Sequence, residues 1–242
     1  MKPSEKIVLA LDVNSFEEAK AWVERLEPTG LVGWWKVGYQ LFMQMGASGV
    51  ERLRSLIQGK IFLDLKLHDI PNTVKAGVTQ ARSMGAQMVT VHCSGGQKML
   101  EAAVEAMDSD GLVLGVTVLT SFDSDQLQGI GLECEIADQV LRLGQLAQRS
   151  GVTGLVCSAE ELALLRRNLG PELKLVTPGI RLAGSDHGDQ KRVATPGQAI
   201  GDGADFLVLG RTILGASHPE TALQQAAAEV MQAAQCLNPQ DL

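Results

Sequence analysis

Long apolar runs are missing from this 242-residue sequence. None approaches the length of a membrane span, and MKPSEK leads straight into IVLALD with no signal-type hydrophobic core. The expectation is a cytoplasmic protein with no membrane partner. Cysteine is sparse: Cys93, Cys134, Cys157 and Cys236 stand apart, with no CxxC pair and no His/Cys cluster at zinc spacing. They are expected to be free thiols in a reducing compartment, and no metal site is expected. A basic excess is lacking too. Lys and Arg number 21 against 28 Asp and Glu, a net charge of −7, which argues against a nucleic-acid partner. A small anion is still a possible ligand where a few cations converge. No GxGxxG opens a helix after the first strand-like run, so a dinucleotide fingerprint is absent. No linker or low-complexity block divides the chain, and one domain over residues 1–242 is expected.

What is present is a regular alternation. Strand-type runs occupy 7–12, 33–38, 60–66, 88–93, 112–120, 154–159, 174–180 and 206–211. Helical patterns such as SFEEAKAWVERL, TVKAGVTQARSMG, CEIADQVLRLGQLAQRSG and AEELALLRRNLG lie between them. In the third of these, apolar residues recur at helical spacing until Ser150-Gly151 ends the pattern. Eight strands alternating with helices imply parallel staves joined by right-handed crossovers. The predicted fold is a single-domain α/β (βα)8 TIM barrel.

Polar residues fall at or just past the C-terminal ends of these runs: Asp12, Lys36, Asp64, Lys66, His92, Thr120, Ser158, Arg181 and Arg211. In a barrel that end forms the active-site mouth. The segment KIFLDLKLHDIPNT (60–73) is the most informative. Strand alternation puts Ile61, Leu63, Leu65 and Leu67 on one face and Phe62, Asp64 and Lys66 on the other. Charges turned inward must pair with one another or with a ligand. With Lys36 and Asp69, they supply two lysines and two aspartates for an alternating network. A lysine held that way stabilises a developing carbanion and then delivers its proton, although the same spacing suits an aldolase or an isomerase.

After the last two strands, Gly179-Ile180-Arg181 and Gly210-Arg211 offer glycines for close backbone approach and arginines for forked donation, a recurrent phosphate cradle in barrels. The polar, glycine-bearing LAGSDHGD (182–189), between Arg181 and Gln190, reads as a loop that closes over a bound phosphate. His68 and His92 have no further ligand-spaced partners and read as supporting residues, and Trp34-Trp35 as packing.

DLKLHDIPNT (64–73) resembles the DxKxxD-centred signature of the orotidine 5′-phosphate decarboxylase family. The resemblance runs the length of the chain, through VLALD (8–12), KVG (36–38), VTVLTS (116–121), VTPGIR (176–181) and VLGR (208–211). It implies decarboxylation of orotidine 5′-monophosphate to uridine 5′-monophosphate, with no metal and no organic cofactor. By the same resemblance Lys66 is the proton donor, flanked by Asp64 and Asp69, with Lys36 completing the tetrad. Asp12 and Lys36 hold the ribose, and Thr120, with Ser121 beside it, lies near the pyrimidine. Arg181, Gln190, Gly210 and Arg211 hold the phosphate. The family is homodimeric, which implies that Asp69 and Thr73 reach the partner's site. Two rivals stand beside this reading. One is a metal-assisted sugar-phosphate decarboxylase on the same barrel; the other is a noncatalytic nucleotide-phosphate sensor, for which the Lys36/Asp64/Lys66/Asp69 set would be superfluous.

Overall fold

The computed structural model describes residues 2–182 and 194–236. Eight strands are present: β1 (Ile7–Ala10), β2 (Trp34–Gly38), β3 (Lys60–Leu67), β4 (Ala86–His92), β5 (Leu112–Val116), β6 (Gly154–Val156), β7 (Lys174–Thr177) and β8 (Phe206–Leu209). Each pairs in parallel with the next, and β1 closes on β8 through Val8↔Val208, giving a closed barrel. The predicted (βα)8 TIM barrel is the observed fold.

Alternation along each stave sorts the core into two layers. Val8, Trp34, Phe62, Met88, Leu114 and Val176 fill the barrel interior, with Trp34 set edge-on to Phe206 at 5.7 Å. Their neighbours Ile7, Leu9, Trp35, Ile61, Leu63, Val89 and Leu155 point outward and are buried beneath the helices. Trp34 and Trp35 are thus both packing residues, one in each layer.

The helices form for local reasons as well. In Phe16–Leu26, Ser15 accepts a hydrogen bond from the Glu18 N–H at 3.2 Å, and Glu17 and Glu18 occupy the first turn. Phe16, Ala19, Val23 and Leu26 form its buried stripe. Ile136–Arg149 ends at Ser150, and Gly151, at φ 76°, supplies the left-handed residue that turns the chain toward β6.

Three strands stop three or four residues short of the sequence pattern. β5, β6 and β7 stop at Val116, Val156 and Thr177, whereas the apolar runs continue to Thr120, Ala159 and Ile180. Past the last ladder bond, residues such as Val118 and Ile180 bury themselves against the outer core, so apolar continuity persists where strand pairing has ended. Thr120 consequently sits in a turn of the mouth rather than at a strand end.

Candidate active site

Four charged side chains from the first three staves form one alternating chain at the C-terminal end. Lys36 Nζ lies 3.1 Å from Asp12 Oδ1 and 3.5 Å from Asp64 Oδ2, and Lys66 Nζ donates to Asp64 Oδ1 at 2.8 Å. Lys36 is only 7% exposed, so its charge is held by these two carboxylates rather than by water. Gly38 leaves it room: a Cβ there would lie 3.1 Å from Lys36 Nζ. Burial pushes the Asp64 carboxyl up. The Lys36 and Lys66 ammoniums and hydrogen bonds from Lys66 and Thr90 outweigh burial and hold it below its usual range.

β3 does not run as a regular strand. Leu63 pairs with Val89 and Leu67 with Val91, so Asp64, Leu65 and Lys66 face Thr90 alone across a bulge. Lys66 takes φ 43°, the one non-glycine residue at positive φ among the described residues. That conformation costs roughly 1–2 kcal/mol for an L-residue, and such strain collects at functional sites. The simple alternation predicted across 60–67 therefore breaks at Lys66, yet Leu65 and Leu67 still pack against the outer core. Thr90 closes the local network by accepting the Lys66 N–H at 2.8 Å and donating to Asp64 Oδ1 at 3.0 Å.

Asp69 does not join this chain. It is exposed, and its Oδ1 accepts the Ile70 N–H at 2.6 Å; among the described residues the ion pairs link Asp12, Lys36, Asp64 and Lys66. Within one chain the second carboxylate of the network is Asp12. Asp69 and the exposed Thr73 instead border an open cleft of about 390 Å³ that Lys66 also lines, with Tyr39, Phe42 and Met43 along it.

His92 ends β4, its ring 5.3 Å from that of His68. Burial, then the neighbouring His68 and Lys66, depress its pKa below the usual histidine value, which favours the neutral ring. Among the described residues, no group of three or more His, Cys, Asp or Glu is arranged to hold a metal ion. All four cysteines are free, and burial pushes the Cys93 thiol up to about 12.

The opposite rim comes from the last two βα loops. Arg181 Nη1 donates to Ile180 O at 3.0 Å and to Thr212 Oγ1 at 3.2 Å, and Thr212 Oγ1 donates to Ile180 O at 2.6 Å. Thr212, which the sequence pattern did not single out, thereby ties the loop after β7 to the turn after β8. Gly210 adjoins the mouth chain, since a Cβ on it would lie 3.6 Å from Asp12 Oδ2. Arg211 follows as an exposed residue. Thr120 is half-buried and Ser121 exposed in the turn after β5. Gln190 and positions 183–189 of the expected closing loop lie outside the described residues. Ser158, also among the strand-end polar residues, is buried and its N–H donates to Glu161 Oε2 at 2.9 Å, capping a helical turn.

A closed βα barrel with a chain of alternating charges on its C-terminal rim belongs with the barrel enzymes whose chemistry runs at that end. Comparison with known proteins narrows the class. Residues 5–226 match the family model described as Orotidine 5′-phosphate decarboxylase / HUMPS family. The orotidine 5′-phosphate decarboxylase of Vibrio cholerae serotype O1 is 47% identical over 225 residues, covering 91% of this chain and 96% of that protein. That of Aliivibrio fischeri is 44% identical over 226 residues, covering 91% and 95%. The crystal structure of orotidine 5′-phosphate decarboxylase from Lactobacillus acidophilus superposes with a TM-score of 0.82 at 34% identity, covering 93% of this chain and 99% of that one. The chain belongs to the orotidine 5′-phosphate decarboxylase family, and it is a decarboxylase, a carboxy-lyase.

Proposed function

We propose that this enzyme converts orotidine 5′-monophosphate to uridine 5′-monophosphate and carbon dioxide in pyrimidine biosynthesis, with Lys66 as the group that meets the carbanion. The bond between the ring carbon and the carboxylate breaks, carbon dioxide leaves, and the electron pair stays on the ring. The Lys66 ammonium stabilises that charge and gives up one proton to the same carbon; water then reprotonates the amine. The observation that carries the reading is the clamped lysine itself: an ammonium 2.8 Å from Asp64 Oδ1, on a backbone at φ 43°, at the mouth of the barrel. Asp64 also repels the substrate carboxylate.

The remaining assignments follow the resemblance. Asp12 and Lys36 take the ribose hydroxyls, Thr120 and Ser121 border the pyrimidine, and Arg181, Gln190, Gly210 and Arg211 take the phosphate. Asp69 and Thr73 serve the partner's site in a homodimer. Support for the dimer comes from the apolar surface around them, where Tyr39 is 54%, Ile70 68% and Met43 81% exposed in one chain. The reading places the enzyme in the cytoplasm, a setting in keeping with its four free thiols.

The test is direct: chelator-treated protein mixed with orotidine 5′-monophosphate, followed by ultraviolet absorbance. Conversion to the uridine spectrum, undiminished by the chelator, is expected. No conversion, with magnesium-dependent turnover of a keto-sugar phosphate instead, would transfer the reading to the sugar-phosphate rival.

A further inference from the structure

Lys66 poses a mechanical problem. It sits on a bulge, in a conformation that L side chains rarely adopt, where the regular ladder between β3 and β4 is interrupted. Its long side chain is flexible, and a lysine that wanders by an ångström loses much of its catalytic value. Something must hold both of its ends.

One atom does so. Thr90 Oγ1 accepts the Lys66 backbone N–H at 2.8 Å and donates to Asp64 Oδ1 at 3.0 Å, the same carboxylate oxygen that receives the Lys66 ammonium at 2.8 Å. The three hydrogen bonds form a closed ring, from the lysine backbone through the threonine hydroxyl and the aspartate to the lysine side chain. Thr90 is fully buried, and its hydroxyl uses its hydrogen and accepts one bond here. Its inward-facing neighbour one layer down in β4, Met88, is apolar and simply fills the barrel interior with Leu114 and Val176. Packing alone would be served equally well at position 90 by valine, which has the same β-branched shape.

We propose that Thr90 is a positioning residue for the reaction, its single hydroxyl fixing the strained backbone of Lys66 and, through Asp64, the ammonium. This rests on the reading of Lys66 as proton donor. Thr90 touches neither the reacting carbon nor the leaving carbon dioxide; it sets where the lysine stands.

Thr90→Val and Thr90→Ser, measured with Lys66→Ala as a parallel control and orotidine 5′-monophosphate as substrate, decide the matter. The valine variant is expected to lose kcat by about ten- to a hundredfold, with KM moving by less than about threefold because ribose and phosphate contacts lie elsewhere. Serine keeps the hydroxyl and should return kcat to within about threefold of the parent. Parental kcat in the valine variant overturns the proposal, as does a serine variant as impaired as valine. Should the valine variant not fold, Thr90→Ala takes its place: alanine impaired and serine active supports the hydroxyl's role, and equal activity rejects it. An inactive Lys66→Ala beside an unimpaired Thr90→Val sinks the positioning role alone. Full turnover in Lys66→Ala removes the proton-donor reading and this inference with it.

Discussion

The barrel carries a charge cluster at each end, and the two are built to opposite plans. At the N-terminal floor, Asp205 is surrounded by Lys6 and Lys174, each at 3.6 Å, and by the Arg166 guanidinium. Arg166 donates onward to Leu173 O at 2.6 Å and Gly203 O at 2.7 Å, and Asp205 Oδ2 accepts the Leu175 N–H at 3.0 Å. The floor is tied into backbone at many points within one chain, and its charged residues Lys6, Arg166, Lys174 and Asp205 all keep negative φ. At the mouth, the Asp12–Lys36–Asp64–Lys66 chain ends in an ammonium with one carboxylate partner among the described residues, borne on a bulged strand at positive φ. The same pairing chemistry thus does two jobs. Saturated and unstrained, it staples staves together; left open and strained, it presents a charge to a substrate.

Mutations at the two ends should therefore separate activity from stability. Lys66→Ala is expected to lower kcat by about a thousandfold or more while unfolding near the parent's denaturant midpoint. Arg211→Ala should cost roughly a hundredfold in kcat/KM on the nucleotide, and much less on a truncated substrate lacking the phosphate. Equal losses on both substrates would deny Arg211 a phosphate role. At the floor the pattern reverses. Asp205→Ala strands the half-buried Lys6 and Arg166 charges and should cost about 3 kcal/mol in urea unfolding, with kcat per folded molecule unchanged. Lys174, at 44% side-chain exposure, adds little to that cost.

The smallest effect is a pH dependence. Asp64 has a folded pKa below its ordinary 3.8, so its ionisation stabilises the fold above that value, and the contribution is lost as pH falls through the folded pKa. Asp64→Asn should be less stable than the parent at neutral pH, and the gap should narrow below about pH 3.8 in urea titrations. A gap independent of pH would mean that the carboxylate's charge contributes nothing to the fold.

Much of this architecture was legible in the residues. Short, nearly continuous apolar runs located all eight staves, because buried parallel strands must be apolar on both faces. The mouth was legible as well, since charged residues such as Asp64 and Lys66 fall near the C-terminal ends of their strand runs, where a barrel's active site forms. The misreadings share a cause. Strand ends were overrun where loop residues such as Val118 stay apolar to bury themselves, and the bulge at Lys66 depends on register with β4, a nonlocal property. Thr90 and Thr212 escaped notice because a lone hydroxyl acquires meaning only from its partners across staves. Asp69, assigned by the resemblance to the partner's site, stands outside the charge chain of its own barrel, where Asp12 supplies the second carboxylate.

The place of Asp69 bears on the central proposal, that the floor is complete in one chain and the mouth is completed by a second. Lys66→Ala and Asp69→Ala homodimers should each be nearly inactive. In a mixed dimer one pocket carries both defects, and the other combines the intact Lys66 of one chain with the intact Asp69 of its partner. Mixing the two inactive proteins under conditions of subunit exchange should therefore restore about a quarter of parental activity per chain, from random pairing of a two-fold dimer. No recovery, with exchange of folded subunits demonstrated, would contradict the shared mouth and leave each barrel to work with its own Asp69.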